Sequence, residues 1–325
     1  MPPYMKPQDW IYFIREEYLD SFIKDGGAAI KFAVPLDDQV RPLLSGGLES
    51  WAREVGYLVA NVNAADTKVH MIEQIFFRIA EQIPWQHLSE RVIVKLAEET
   101  RFRPPQDGGT PLLLRIAEEN RIEPDSVMME LRPQIEAKVT KVREMSKDFR
   151  VAMTQLCRAQ LAGGAEGETT VQVLTDWLTG RNTAISAVKP YLIFSRINRT
   201  NARHFFESLL RWIRFAGYTG ILVVLDIARV MVARNPKDDQ LYYTKAAVLD
   251  TYEVLRQFID GTDRLNGCLI VVAPDVAFLD GDSARGIAVY EALKFRIFDE
   301  IRDRRLVNPM ASLVRLSSLP TEEPQ

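Results

Sequence analysis

Three nearly continuous apolar runs constrain this chain more than any other feature: AAIKFAV at 28–34, GILVVLD at 220–226 and GCLIVVAP at 267–274, each introduced by glycine. A strand that is apolar at consecutive positions is covered on both faces, whereas a strand with one wet face alternates. YLVANVN at 57–63 reads as a further strand, and ASLVRL near the C-terminus as a last one. Between them lie helical patterns. Val69, Ile72, Ile75, Phe76 and Ile79 share one helical face, and NARHFFESLLRWIRFAGY, LYYTKAAVLDTYEVLRQFID and AVYEALKFRIFDEIRDRRL each carry an apolar stripe. Strands of this kind separated by helices predict an α/β domain with a mostly parallel sheet flanked by helices.

The alternation is interrupted. From about 85 to 190 only helical patterns occur, so the chain divides into 1–84, an N-terminal helix and the first half of the α/β domain; 85–190, a large helical insertion; and 191–325, the second half. LAGGAEGETT at 161–170 reads as a loop. At the N-terminus Trp10, Phe13, Ile14 and Tyr18 recur at helical spacing among charged residues, which predicts an amphipathic helix rather than a signal segment.

With 41 basic and 44 acidic residues, the net charge of −3 supplies no global field toward nucleic acid or an anionic membrane. No stretch is apolar enough to span a bilayer, so cytoplasmic residence without membrane association is expected. Cys157 and Cys268 lie far apart and read as small buried residues. His70, His87 and His204 show no ligand spacing, and no metal site is expected.

In a doubly covered parallel sheet, sites form at the carboxyl ends of the strands, which directs attention to 35–42, 226–230 and 274–286. A phosphate loop needs glycines for close backbone approach, a lysine for the terminal phosphates and a hydroxyl for magnesium. After the first strand stands PLDDQVRPLL instead. Pro35, Asp37, Asp38, Arg41 and Pro42 offer no glycine and no lysine, and the two carboxylates put negative charge where phosphates would lie. Gly46 and Gly47, in LSGGLES, sit inside a helical pattern with no lysine after them. GILVVLD places Asp226 where the magnesium-side carboxylate of an ATPase stands, but Ile227 follows where a catalytic carboxylate is needed. Read alone, Asp226 serves equally well as a loop cap.

An ordered set of segments adds to this. DWLTG, RINRTNARHFFESLLRWIRFAGYTGILVVLD, TYEVLRQFID and GCLIVVAPDVAFLDGDSARGIAVYEALKFRI resemble, in order and spacing, the second half of BREX-type phage-defence ATP-binding proteins. Gly217, Tyr218 and Gly220 match a helix end of that family, and Arg285, Gly286, Tyr290, Leu293 and Arg296 match a later segment. The resemblance covers roughly 175–300 well and 28–80 in layout alone. It implies a P-loop NTPase-like, AAA+-like fold and a role in a multi-protein anti-phage system, with Asp226 on the magnesium side and Arg285 and Arg296 as sensor or finger arginines.

Loss of both the loop and the second carboxylate points to a catalytically degenerate subunit without a bound cofactor. Such a subunit would dock on other proteins of the same operon, an ATPase, helicase or nuclease, or assemble into homo- or hetero-oligomers. An active ATPase using ATP and Mg²⁺ through Arg41 is one alternative. A DNA-binding adaptor is the other, with Arg196, Arg199 and Arg203 on phosphates or on a partner, although no interleaved aromatic is evident beside them.

Overall fold

A computed structural model describes residues 4–105, 111–298 and 307–319. By contacts the chain forms two compact units, residues 1–79 with 219–325, and residues 80–218.

The first unit opens with α1 (Pro7–Phe13), which continues as a π-helix over Ile14–Phe22. There follow β1 (Ala28–Pro35), α2 (Val40–Glu54), β2 (Tyr57–Asn63) and α3 (Ile72–Ala80). The second unit contains α4 (Trp85–Glu99), α5 (Leu112–Asn120), α6 (Pro124–Ile135), α7 (Lys147–Ala162), α8 (Gly164–Leu178), α9 (Ile185–Val188) and α10 (Ala202–Phe215). The chain returns to the first unit with β3 (Gly220–Asp226), α11 (Lys245–Asp260), β4 (Cys268–Ala273), α12 (Glu291–Ile297) and β5 (Leu313–Leu316).

The five strands form one sheet in the order β2-β3-β4-β1-β5 with every pairing parallel. This is the α/β architecture with a parallel sheet flanked by helices that the strand pattern predicts, and it agrees with the P-loop NTPase-like fold that the resemblance implies. β3 and β4 are buried along nearly their whole length, as continuous apolar runs require, while the edge strand β2 exposes Asn61 and Asn63. On one face, Trp10, Ile14 and Leu19 of the N-terminal helix join Val40, Leu44 and Leu48 of α2 against Val224, Val271 and Val314 of the sheet. Trp10, Ile14 and Tyr18, four residues apart, form the buried stripe that their spacing predicts.

Lys31 is an exception inside β1. It is 6% exposed, and its ammonium donates to the carbonyl of Met310 at 2.6 Å and lies 4.5 Å above the Tyr18 ring. The buried charge is thereby hydrogen-bonded, and it fastens the segment before β5 to the central strands.

Several expectations are corrected. The helical unit ends at Tyr218 rather than at 190, because α10 packs with α4 of that unit and Arg91 donates to the carbonyl of Ala216 at 2.7 Å. Residues 161–170 are not a loop: Gly163 and Gly164, at φ of 63° and 73°, turn the chain, and α8 begins at once. Gly167 serves packing, since a Cβ there would stand 2.7 Å from the Ala159 carbonyl oxygen of α7. Near the C-terminus α12 covers Glu291–Ile297, and the rest of the expected helix, EIRDRRL, reaches beyond the described residues. Gly46 and Gly47 lie inside the unbroken α2; Gly47 admits Ile11 of α1, whose Cδ1 would be 2.8 Å from a Cβ. Among the described residues no helix is long and apolar enough to cross a membrane. Cys157 and Cys268 are buried, and burial raises both thiol pKa values.

Candidate functional site

The carboxyl edge of the sheet brings together the end of β1, the first turn of α2 and the ends of β3 and β4. Between β1 and α2 only residues 36–39 intervene, too short a turn to wrap a phosphate and without glycine. Pro35 is buried as the last residue of β1, and Pro42 removes one backbone donor from the first turn of α2.

Asp37 turns toward β5. Its carboxylate accepts from the Ser317 hydroxyl at 3.0 Å, and from the Ser318 N–H at 2.8 Å and hydroxyl at 2.7 Å. Partial burial opposes ionisation, but these bonds, with one from the Gln39 N–H, outweigh it and hold the carboxyl below its ordinary pKa. Asp38 is exposed.

Arg41 occupies the centre. Its Nη1 lies 2.9 Å from Asp226 Oδ2, and its Nη2 donates to the Pro274 carbonyl at 2.7 Å. Asp226 is committed on both oxygens, because Oδ1 accepts from the Ala228 N–H at 2.8 Å. It is therefore both the cap that its position after an apolar strand allows and the partner of a cation. Ile227 is fully buried, and its N–H donates to Ala273. A carboxylate at 227 with the same orientation would enter the core. A cleft of about 330 Å³ adjoins the pair, lined by Ser45 and Glu49 of α2, Asn61 and Asn63 of β2, and Asp226. On its wall Asn61 donates to Glu49 at 2.8 Å.

The turn lacks a glycine cradle, the Arg41 guanidinium is bonded to Asp226 and Pro274, and the Asp37 carboxylate is engaged by the serines after β5. Among the described residues no cluster of three His, Cys, Asp or Glu side chains could hold a metal.

The later arginines are placed elsewhere. Arg285 is 5% exposed; it donates to the carbonyls of Val230 at 3.0 Å and Tyr243 at 2.8 Å and to the Tyr242 hydroxyl at 3.0 Å. Tyr252 donates in turn to the Arg285 carbonyl. This guanidinium clamps the segment after β3. Gly286 beside it has no room for a side chain, since a Cβ would meet the Asp280 carbonyl oxygen at 2.3 Å. Arg296 pairs with Asp260 of α11, which also binds Arg256, while Tyr290 donates to Glu253. The family-like residues 285, 286, 290 and 296 thus fasten α11, α12 and the connecting loops.

Arg196 and Arg199 are exposed in the helical unit, and Arg203 is paired with Glu207 at 3.4 Å. Phe194, which precedes the three arginines in the chain, is 55% exposed. Its neighbours Ile193 and Ile197 are buried.

Strand order, parallel register and an acidic residue closing β3 beside the first turn of α2 define a protein of P-loop NTPase architecture. The chain belongs to the family described as BREX system ATP-binding protein BrxC/D, whose model matches residues 114–324. That match takes in most of the helical unit and the return to the sheet, and it leaves the turn at 35–42 outside. Neither the curated proteins nor the solved structures gave a match. Membership makes this chain a component of a phage-defence system.

Proposed function

We propose that this protein is a catalytically degenerate P-loop subunit of its defence system, acting by binding other components rather than by hydrolysing ATP. The observation that carries this is the Arg41 guanidinium bonded to Asp226 and Pro274 where a P-loop protein needs space for magnesium and phosphate. An internal cation fixed by carbonyl and carboxylate substitutes for the metal, and Ile227 stands where a second carboxylate is needed. Retention of the whole sheet beside a site whose cation is bonded internally favours a scaffold role. The clamps built by Arg285 and by the Glu253–Arg256–Tyr290 group support the same reading, since they spend family-like residues on rigidity. Partners in this reading are the ATPase, helicase or nuclease products of the same operon, bound without a nucleotide requirement.

Co-expression with those products and affinity capture tests it. Capture is expected to be equal with and without ATP and Mg²⁺, and to survive Asp226→Asn. Capture that requires nucleotide and is lost in that variant contradicts the proposal.

A further inference from the structure

A second feature lies in the helical unit. From Trp177 to Phe206 the chain has no carboxylate, yet it carries Arg181, Lys189, Arg196, Arg199 and Arg203. Arg181 and Arg203, at the two ends, lean on the flanking Asp176 at 4.0 Å and Glu207 at 3.4 Å. Lys189, Arg196 and Arg199 are exposed in the middle. In a chain of net charge −3 this is a marked segregation.

The middle of the stretch is irregular in structure but anchored. Ile193 and Ile197 are buried at 0% and 6% exposure, and the Ser195 hydroxyl donates to Asp148 of α7. Asn201 donates to the Arg196 carbonyl at 2.9 Å, and Asn198 Oδ1 accepts from the Thr200 N–H at 2.9 Å. Leu192 is held at φ of 64°, a left-handed backbone that a leucine adopts only when its surroundings impose it. The outcome is alternation: Leu192, Phe194, Arg196 and Asn198 face solvent while Ile193 and Ile197 face the core. A phenyl ring 55% exposed and a leucine 60% exposed are thus presented by an anchored segment, with Lys189 before them in the chain and Arg196 and Arg199 after.

We infer that Lys189–Arg199 is a binding site for single-stranded nucleic acid. Every base has a π-face that can stack on an exposed phenyl ring, and the flanking guanidinium and ammonium groups neutralise the phosphodiesters. A base must be unstacked to reach Phe194. Lys189–Tyr191 is a single 3-10 turn and residues 192–199 are irregular, so the segment offers no helix to enter a duplex groove. Asp148, the nearby carboxylate, is engaged by Ser195. The site is independent of the closed phosphate turn and needs no nucleotide.

Fluorescence anisotropy of the full chain with a labelled mixed-sequence oligonucleotide of about 20 nucleotides tests this. The same sequence as duplex, and heparin as a polyanion without bases, serve as comparisons. The single strand is expected to bind more tightly than the duplex. Phe194→Ala should weaken single-strand binding about tenfold and leave heparin binding unchanged. Arg196→Glu should weaken both and reduce the slope of log affinity against log salt by about 0.7. Since Phe194 is exposed, its variant should keep the thermal midpoint of the parent, which circular dichroism verifies. No binding, or equal affinity for strand, duplex and heparin with no effect of Phe194→Ala, overturns the inference. So does loss of a co-expressed acidic protein partner in both variants with no oligonucleotide bound, which makes the segment a protein-docking face.

Discussion

Arg41 of α2 and Asp226 of β3 meet across the carboxyl end of β4, with Nη1 2.9 Å from Oδ2, and the same guanidinium holds the Pro274 carbonyl at 2.7 Å. The two side chains are 27% and 29% exposed, sheltered enough for the pair to matter yet reachable by water. A charge-assisted hydrogen bond in that setting contributes about 1 kcal/mol after solvent screening. Urea denaturation of Arg41→Ala, Asp226→Ala and the double variant should therefore give a coupling of about 1 kcal/mol. Additive effects would place the two residues outside a common interaction.

Arg285 presents the opposite case, a nearly buried charge satisfied by three oxygens. Truncation to alanine leaves two main-chain carbonyls without their donor and empties the volume of a large side chain. The expected loss is about 3 kcal/mol, and lysine should not rescue it because a single ammonium cannot reproduce the fork. Near-parental stability of Arg285→Ala would refute the clamp and restore a sensor role to this position.

The glycines separate by surroundings. At Gly46, in the exposed middle of α2, a Cβ meets nothing within 4 Å, so Gly46→Ala should stabilise by about 0.5–1 kcal/mol. At Gly167 a Cβ would press to 2.7 Å on the Ala159 carbonyl oxygen, and Gly167→Ala should cost about 1–3 kcal/mol. Thermal midpoints of the two variants, moving in opposite directions, are the check.

Acid stability reports on the ties between α11 and α12. The hydrogen bond from Arg256 is the main reason that the Glu253 carboxyl lies at about 2 rather than 4.5; burial opposes it, and Tyr290 and Gln257 assist. The hydrogen bond from Arg296 leads those that lower Asp260. A carboxyl depressed in the folded state contributes stability that is complete above its unfolded pKa and lost as pH falls through the folded one. The thermal midpoint should therefore fall between pH about 4.5 and about 2, and Glu253→Gln should flatten that part of the curve. An unchanged profile would show that Glu253 does not carry it.

Much of the scaffold was legible because strands buried on both faces leave a local signature. GILVVLD and YLVANVN coincide with β3 and β2, and the apolar stripe of Trp10, Ile14 and Tyr18 is the stripe that is buried. Glycine misled at 161–170, where composition read as looseness but the residues serve a close approach of α7 and α8. The site was legible only in what it lacks. That Arg41 would find Asp226, or Asp37 the serines after β5, depends on pairs 185 and 280 or more positions apart, which no local pattern encodes. Phe194 was missed for a different reason: alternation in an irregular segment carries no mark of its own without the burial of Ile193 and Ile197.

In the proposed function the Arg41–Asp226 pair stands in for magnesium nucleotide. Isothermal calorimetry of the full chain titrated with ATP and Mg²⁺ tests this most directly. It should give no saturable heat up to millimolar nucleotide, and phosphate release should not exceed that of the Asp226→Asn variant. Micromolar binding together with turnover that Asp226→Asn abolishes would contradict it.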